Sequence, residues 1–86
     1  MATGQERGEA DVLEELTPIF RRILDNDRLV LTPSLTAKDV DGWDSLTHMS
    51  LILAVEERYG IKFKLMDVVK FKNVGDMCRS ILAMGR

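Results

Sequence analysis

The stretch "DGWDSLTHMSLILAVEERYG", residues 41–60, places a serine, Ser45, between an acid and a leucine at the head of an apolar-periodic run. A serine there has three uses: it can cap a helix, attack a substrate, or be modified itself. Within the run, Met49, Ile52, Val55 and Tyr59 recur at steps of three and four, which predicts a helix from Ser45 to Tyr59 with those four side chains as its buried stripe. Leu46 and Leu53 fall at the flank of that stripe. Gly60 suits a left-handed C-cap. Asp44 or Ser45 can cap the start, since both residue types accept hydrogen bonds from free helical amides.

Upstream, Val12, Leu13, Leu16, Ile19, Phe20, Ile23 and Leu24 form one apolar stripe, predicting an amphipathic helix over about residues 9–25. Pro18 interrupts it, removing a hydrogen bond and crowding the preceding turn. The stripe keeps its phase across the proline, which favours one bent helix. The alternative is a break, with Thr17 capping a second helix that starts at Pro18. Residues 1–8, "MATGQERG", read as a flexible tail, leaving 9–86 as a single domain.

Residues 26–43 show no sustained helical or strand period. Thr32-Pro33 and Asp41-Gly42 are turn signals, and Leu29, Leu31, Leu35 and Val40 are spaced to pin a long loop to a core. A single helical turn fits near Thr36–Val40. Trp43 has two readings: an anchor for this loop, which burial of a large aromatic favours, or a flank for whatever meets Ser45. Downstream, "IKFK" is a short extended piece. Residues 65–71 predict a short third helix with Val68, Val69 and Phe71 inward, and Phe71 buried against the last helix. That helix has Asn73 as N-cap and Val74, Met77, Cys78, Ile81 and Leu82 as its apolar face. The expected fold is therefore all-α, a four-helix bundle with a long loop between helices 1 and 2 and a short third helix.

The chain has 86 residues, enough for one small core but not for a deep active-site cleft. Its net charge of −2 argues against a nucleic-acid binder, which shows a basic face, and no basic recognition helix supports a helix-turn-helix reading. One cysteine, Cys78, excludes an intrachain disulfide and a cysteine-based zinc site; its place on an apolar stripe makes it a core residue. The longest apolar run, "LILAV", is far short of the ~20 residues that span a bilayer. The N-terminus has charges where a signal peptide needs an apolar segment. A monomeric cytoplasmic protein without membrane association is expected.

Catalysis by Ser45 needs partners. His48 follows three residues later and can share its helix face, but a hydrolase also needs an orienting group, an oxyanion hole and a pocket. None is visible, so His48 reads as a solvated or interface histidine and no catalytic residue is expected. Asp39, Asp41 and Asp44 crowd together, but the calcium-loop pattern of glycine sixth and glutamate twelfth is absent. No metal site is expected.

"DSL" (44–46), after a long loop and before a helix ending "VEERYGI" (55–61), resembles the acyl carrier protein family. "GW" (42–43) and "HMSLILAVEERYGIKF" (48–63) resemble the stand-alone carriers of bacterial specialised pathways. The resemblance covers about residues 10–84. "DSL" alone is a weak signal; its placement on this helical pattern is a strong one. The resemblance implies that Ser45, flanked by Asp44 and Leu46, receives 4′-phosphopantetheine from coenzyme A. A separate phosphopantetheinyl transferase supplies the catalysis, so the protein is not itself an enzyme. The thiol of the arm then carries acyl or aminoacyl intermediates as thioesters between loading and downstream enzymes of fatty acid, polyketide or nonribosomal peptide type. The resemblance also implies docking through Leu46, Leu53, Glu56 and Glu57 of the second helix. Thr47 and Ser50 stand where fatty-acid carriers have acids, and Arg58 replaces a third acid, which favours a dedicated pathway partner. The alternative function is a non-covalent helical adaptor in which Ser45 is only a cap.

Overall fold

A computed structural model describes residues 7–86. Its elements are α1 (Glu9–Ile23), a 3-10 turn (Ala37–Asp39), α2 (Ser45–Tyr59), α3 (Leu65–Lys70) and α4 (Val74–Ala83). Helix α1 packs on both α2 and α4. Among the described residues there is no strand, and no helix is long and apolar enough to cross a membrane. Of the tail expected over residues 1–8, residues 1–6 lie outside the described residues. Arg7 forms a forked ion pair with Glu15, both bonds 2.7 Å. Gly8 is the N-cap residue of α1.

Helix α1 runs through Pro18 without a break. Pro18 cannot donate to the Glu14 carbonyl, but the Thr17 hydroxyl donates to the Leu13 carbonyl at 2.7 Å. Val12, Leu16 and Phe20 on either side of the proline are fully buried, so continuity of the apolar face outweighs the lost bond. The helix ends two residues earlier than the spacing suggests. Asp25 takes a left-handed conformation (φ 52°), and the Asn26 amide turns back to the Arg21 carbonyl at 2.9 Å, which closes the C-terminus.

The long loop is pinned as its apolar spacing predicts: Leu29, Leu31, Val40 and Trp43 are buried, and Leu35 is half-buried. It also caps the start of α4. The Val74 amide donates to Leu35 O at 3.0 Å and the Gly75 amide to Pro33 O at 2.9 Å, while the Asp76 amide donates to the Asn73 side chain at 2.9 Å. The first three amides of α4, which a helix leaves without internal partners, are thus satisfied. Val74, Met77, Cys78 and Ile81 of α4 belong to the same buried core as Leu51 and Val55 of α2.

The faces of α2 and α3 need correction at three positions. The buried stripe of α2 is Leu51, Ile52, Val55 and Tyr59; Met49 lies 46% exposed. Leu51 precedes Val55 by four residues, and the half-buried residue before Ile52 on this face is His48, not Met49. In α3, Val68 is buried but Val69 is 68% exposed, because a helix of six residues offers one inward position per turn. Phe71 is half-buried, its ring edge-on to Phe63 at 5.3 Å. It packs at the rim of the core, not inside it.

Candidate functional site

Ser45 is the first residue of α2 and is exposed. The cap ahead of it is Asp44, with extended backbone (φ −117°, ψ −171°). Its carboxylate accepts the Thr47 amide at 2.9 Å, and the Thr47 hydroxyl accepts the Asp44 amide at 2.8 Å while donating to Gly42 O at 2.7 Å. This reciprocal capping box settles which residue caps the helix. It also holds the Asp44 carboxyl below the usual range, chiefly through the Thr47 amide. The Ser45 hydroxyl makes no hydrogen bond among the described residues, whereas Ser50 turns its hydroxyl to the Leu46 carbonyl at 3.4 Å.

The residues before the cap are fixed by Trp43. Gly42, at φ +86°, makes the turn that directs Trp43 inward, a conformation glycine adopts without steric cost. Trp43 is buried, meeting Phe20 of α1 edge-on at 5.4 Å. Its indole N–H donates to Nδ1 of His48 at 3.2 Å, and the two rings lie nearly parallel, 6.2 Å apart. His48 is therefore a half-buried, hydrogen-bonded residue, not a solvated one. With Nδ1 facing the indole, the ring is oriented by Trp43 and not by an acid, so no catalytic triad forms.

Beside Ser45 opens a cleft of about 500 Å³ between α2 and α3. Trp43, His48 and Met49 line one side and Leu65, Val69 and Phe71 the other, with Asp44 the one charged side chain among the lining residues. A larger depression of about 720 Å³ lies far along the chain, on α1 and the turn after it, walled by Glu14, Arg21, Arg22 and Asp25. Its walls are mostly charged, and its one hydroxyl, that of Thr17, is engaged with the Leu13 carbonyl. Asp39 bonds the Thr36 amide and hydroxyl, each at 3.0 Å. Among the described residues no group of three His, Cys, Asp or Glu side chains could hold a metal ion.

On the outer face of α2, Leu46 is 78% and Leu53 59% exposed. Met49, three residues after Leu46 and four before Leu53, completes an apolar strip at positions i, i+3 and i+7. Sequence reasoning missed Met49 here by assigning it to the core; the spacing to Leu46 and Leu53 was the signal that could have found it. Glu57 is exposed, but the half-buried Glu56 accepts the Phe63 amide at 2.8 Å. Its carboxylate thus fastens the 61–64 segment to α2.

Ser45 thus offers an exposed hydroxyl without a hydrogen bond among the described residues, at a helix start and beside an open, mostly apolar cleft. Comparison with known proteins places the chain. The family model described as a phosphopantetheine attachment site matches residues 14–81. The acyl carrier protein of Helicobacter pylori (strain ATCC 700392 / 26695) is 32% identical over 71 residues, which is 81% of this chain and 90% of that relative. The solution structure of the holo acyl carrier protein from Geobacter metallireducens matches with a TM-score of 0.79 and 49% identity, over 85% of this chain and 87% of that one. The chain belongs to the acyl carrier protein family. It is a carrier and not an enzyme, and its cofactor is covalently bound 4′-phosphopantetheine; membership of this family implies interaction with a phosphopantetheinyl transferase and with pathway enzymes. The non-covalent adaptor reading gives way, as does its premise, since the cap is Asp44.

Proposed function

We propose that Ser45 carries the arm and that the protein presents thioester-bound acyl or aminoacyl groups to the enzymes of a dedicated biosynthetic pathway. The observation that supports Ser45 is its exposed, unbonded hydroxyl at the first position of α2, with the capping duty taken by Asp44. In the transferase, that hydroxyl attacks the β-phosphate of coenzyme A. The new Ser45 Oγ–P bond replaces the bond to 3′,5′-adenosine bisphosphate, which leaves, and the serine proton goes to the transferase's base.

The residues present fit the group. The phosphodiester would sit at the positive end of the α2 dipole, near the Ser45 and Leu46 amides. The apolar walls from Met49, Leu65 and Val69 suit the aliphatic parts of the arm and its cargo. Partners dock on the strip of Leu46, Met49 and Leu53, with Glu57 at its edge steering basic surfaces. Glu56 contributes charge to that edge while bonded internally. Three exposed apolar side chains against one unbonded acid favour a partner recognised mainly by apolar contact.

The test is intact mass after incubation with coenzyme A and a broad-specificity phosphopantetheinyl transferase. The wild-type protein should gain the mass of one phosphopantetheine group. Ser45→Ala should gain none while keeping its helical circular dichroism, because Asp44 still caps α2. A gain that persists in Ser45→Ala would move the site to another residue.

A further inference from the structure

The hydrogen bond between Trp43 and His48 bears on the arm. An indole N–H can only donate, and it faces His48 Nδ1 at 3.2 Å. In the neutral ring Nδ1 is therefore unprotonated and Nε2 carries the proton. Among the described residues no protein group accepts from that Nε2–H. His48 follows Ser45 by three residues, so their Cβ atoms are ~5–6 Å apart on one helix face, and both line the same cleft. Of the side chains lining that cleft, Trp43, Ser45 and His48 alone have a donor. The Trp43 donor is committed to His48, and the Ser45 donor is lost on attachment. The Thr47 amide, which could otherwise serve an anion, is taken by Asp44. A phosphodiester at Ser45 would thus stand beside a carboxylate, with one first-turn amide already used and one side-chain donor left, the imidazole.

We propose that His48 is a positioning residue for the prosthetic arm, its Nε2–H donating to a phosphate oxygen of the phosphodiester on Ser45 while Trp43 holds the ring in the required tautomer. The proposal rests on the assignment of Ser45. The charged surroundings are simple. Asp44 alone is charged among the cleft residues; α3 presents Leu65, Val68 and Val69 to it and the 3-10 turn presents Ala37. Asp67 and Lys70 of α3 line a separate depression with Lys72 and Asp76. Asp44 is present with and without the arm, so its influence cancels in a comparison of the two forms.

The experiment compares apo and holo protein, uniformly labelled with nitrogen-15, with attachment at Ser45 verified by intact mass and peptide mapping. Long-range proton–nitrogen spectra report which ring nitrogen is protonated and its titration midpoint. Nε2–H is expected in both forms, with the midpoint higher in the holo form than in the apo form, because an anion hydrogen-bonded to the ring favours the imidazolium. A phosphodiester does not titrate near neutral pH, so its phosphorus-31 resonance should show a step only through His48, at the same midpoint. That step should vanish in holo His48→Phe. If this variant fails to fold, the apo and holo wild-type spectra decide alone. An unmoved midpoint in fully labelled protein, a proton on Nδ1, or a phosphorus step that survives in His48→Phe overturns the proposal and leaves Ser45 standing. Absence of label at Ser45 overturns both, and the mass measurement distinguishes the cases.

Discussion

Ser45 and Thr47 are hydroxyl residues within one turn of α2, and they do opposite things. Thr47 closes the capping box and ties it to Gly42, so its hydroxyl is fully engaged; Ser45 is left available by that same arrangement. From sequence alone Thr47 registers only as a missing acid, since reciprocal capping depends on backbone angles that residue types do not display. Cys78 makes a similar contrast with the thiol the arm would bring. It is fully buried on α4, and burial pushes its thiol up to about 11. The thiolate is the reactive species, so Cys78 should be inert at pH 8. Titration of native holo protein with an aromatic disulfide reagent should therefore release one rapid equivalent, from the arm. Native apo protein should release none, and either form unfolded in denaturant should expose one more. A rapid equivalent from native apo protein would show that Cys78 is accessible.

Helix α2 has two apolar faces, and that is why its inward face was only partly legible. Leu51, Ile52, Val55 and Tyr59 face the core, while Leu46, Met49 and Leu53 face outward. A spacing rule finds both sets and cannot rank them, so Met49 was placed on the wrong one. On α1 the rule succeeded because its opposite face carries Glu14, Arg21 and Arg22. Capping signals were also reliable: Asn73 and Gly60 act as their types predict. The existence and order of the four helices, the pinned loop and the position of Ser45 were readable. What was not readable was depth of burial near α3, where Val69 is exposed and Phe71 is half-covered. The two phenylalanines test this difference in depth. Phe20 is fully buried against Trp43, so Phe20→Ala should cost about 3–5 kcal/mol, the usual range for a core aromatic. Phe71 is partly exposed and keeps its edge-on contact with Phe63 as its main specific interaction. Phe71→Ala should cost about 1–2 kcal/mol. Urea denaturation midpoints of the two variants give the ordering. Equal losses would mean that the α3 rim is packed as tightly as the centre.

The bundle is held at its two ends by polar ties that join elements distant in sequence. At one end, the loop carbonyls of Pro33 and Leu35 receive the first amides of α4. Gly75 permits that approach, since a Cβ there would lie 3.0 Å from the Pro33 carbonyl oxygen. At the other end, Tyr59 at the close of α2 donates its hydroxyl to Glu15 of α1 at 2.6 Å, and Arg7 grips the same carboxylate with both guanidinium nitrogens. The Arg7 hydrogen bonds, assisted by Tyr59, pull the Glu15 carboxyl down to about 2 against the opposing effect of burial. Tyr59 is pushed above its ordinary range by burial and by that carboxylate, so it remains a donor at any pH at which the protein works. The sign of the pH dependence follows. A carboxyl depressed in the folded state binds its proton more readily once unfolded, so the unfolded chain gains protons first as pH falls. The stability from this tie is fully present above the ordinary value of 4.5 and is lost as pH falls through about 2. Asp44 and Asp76 are lowered as well, so acid sensitivity of the wild-type protein alone does not isolate Glu15. The difference between wild type and Glu15→Gln does. Glutamine keeps the size and an acceptor oxygen for Tyr59 but has no charge for Arg7 and no proton to gain. Wild type should have the higher urea midpoint at pH 7, and the gap should stay constant down to about pH 5 before narrowing toward pH 2, where the glutamate too is neutral. A gap independent of pH across this range would mean that the carboxylate contributes by shape and neutral hydrogen bonding, and that the ends of α1 and α2 are joined without help from the ion pair.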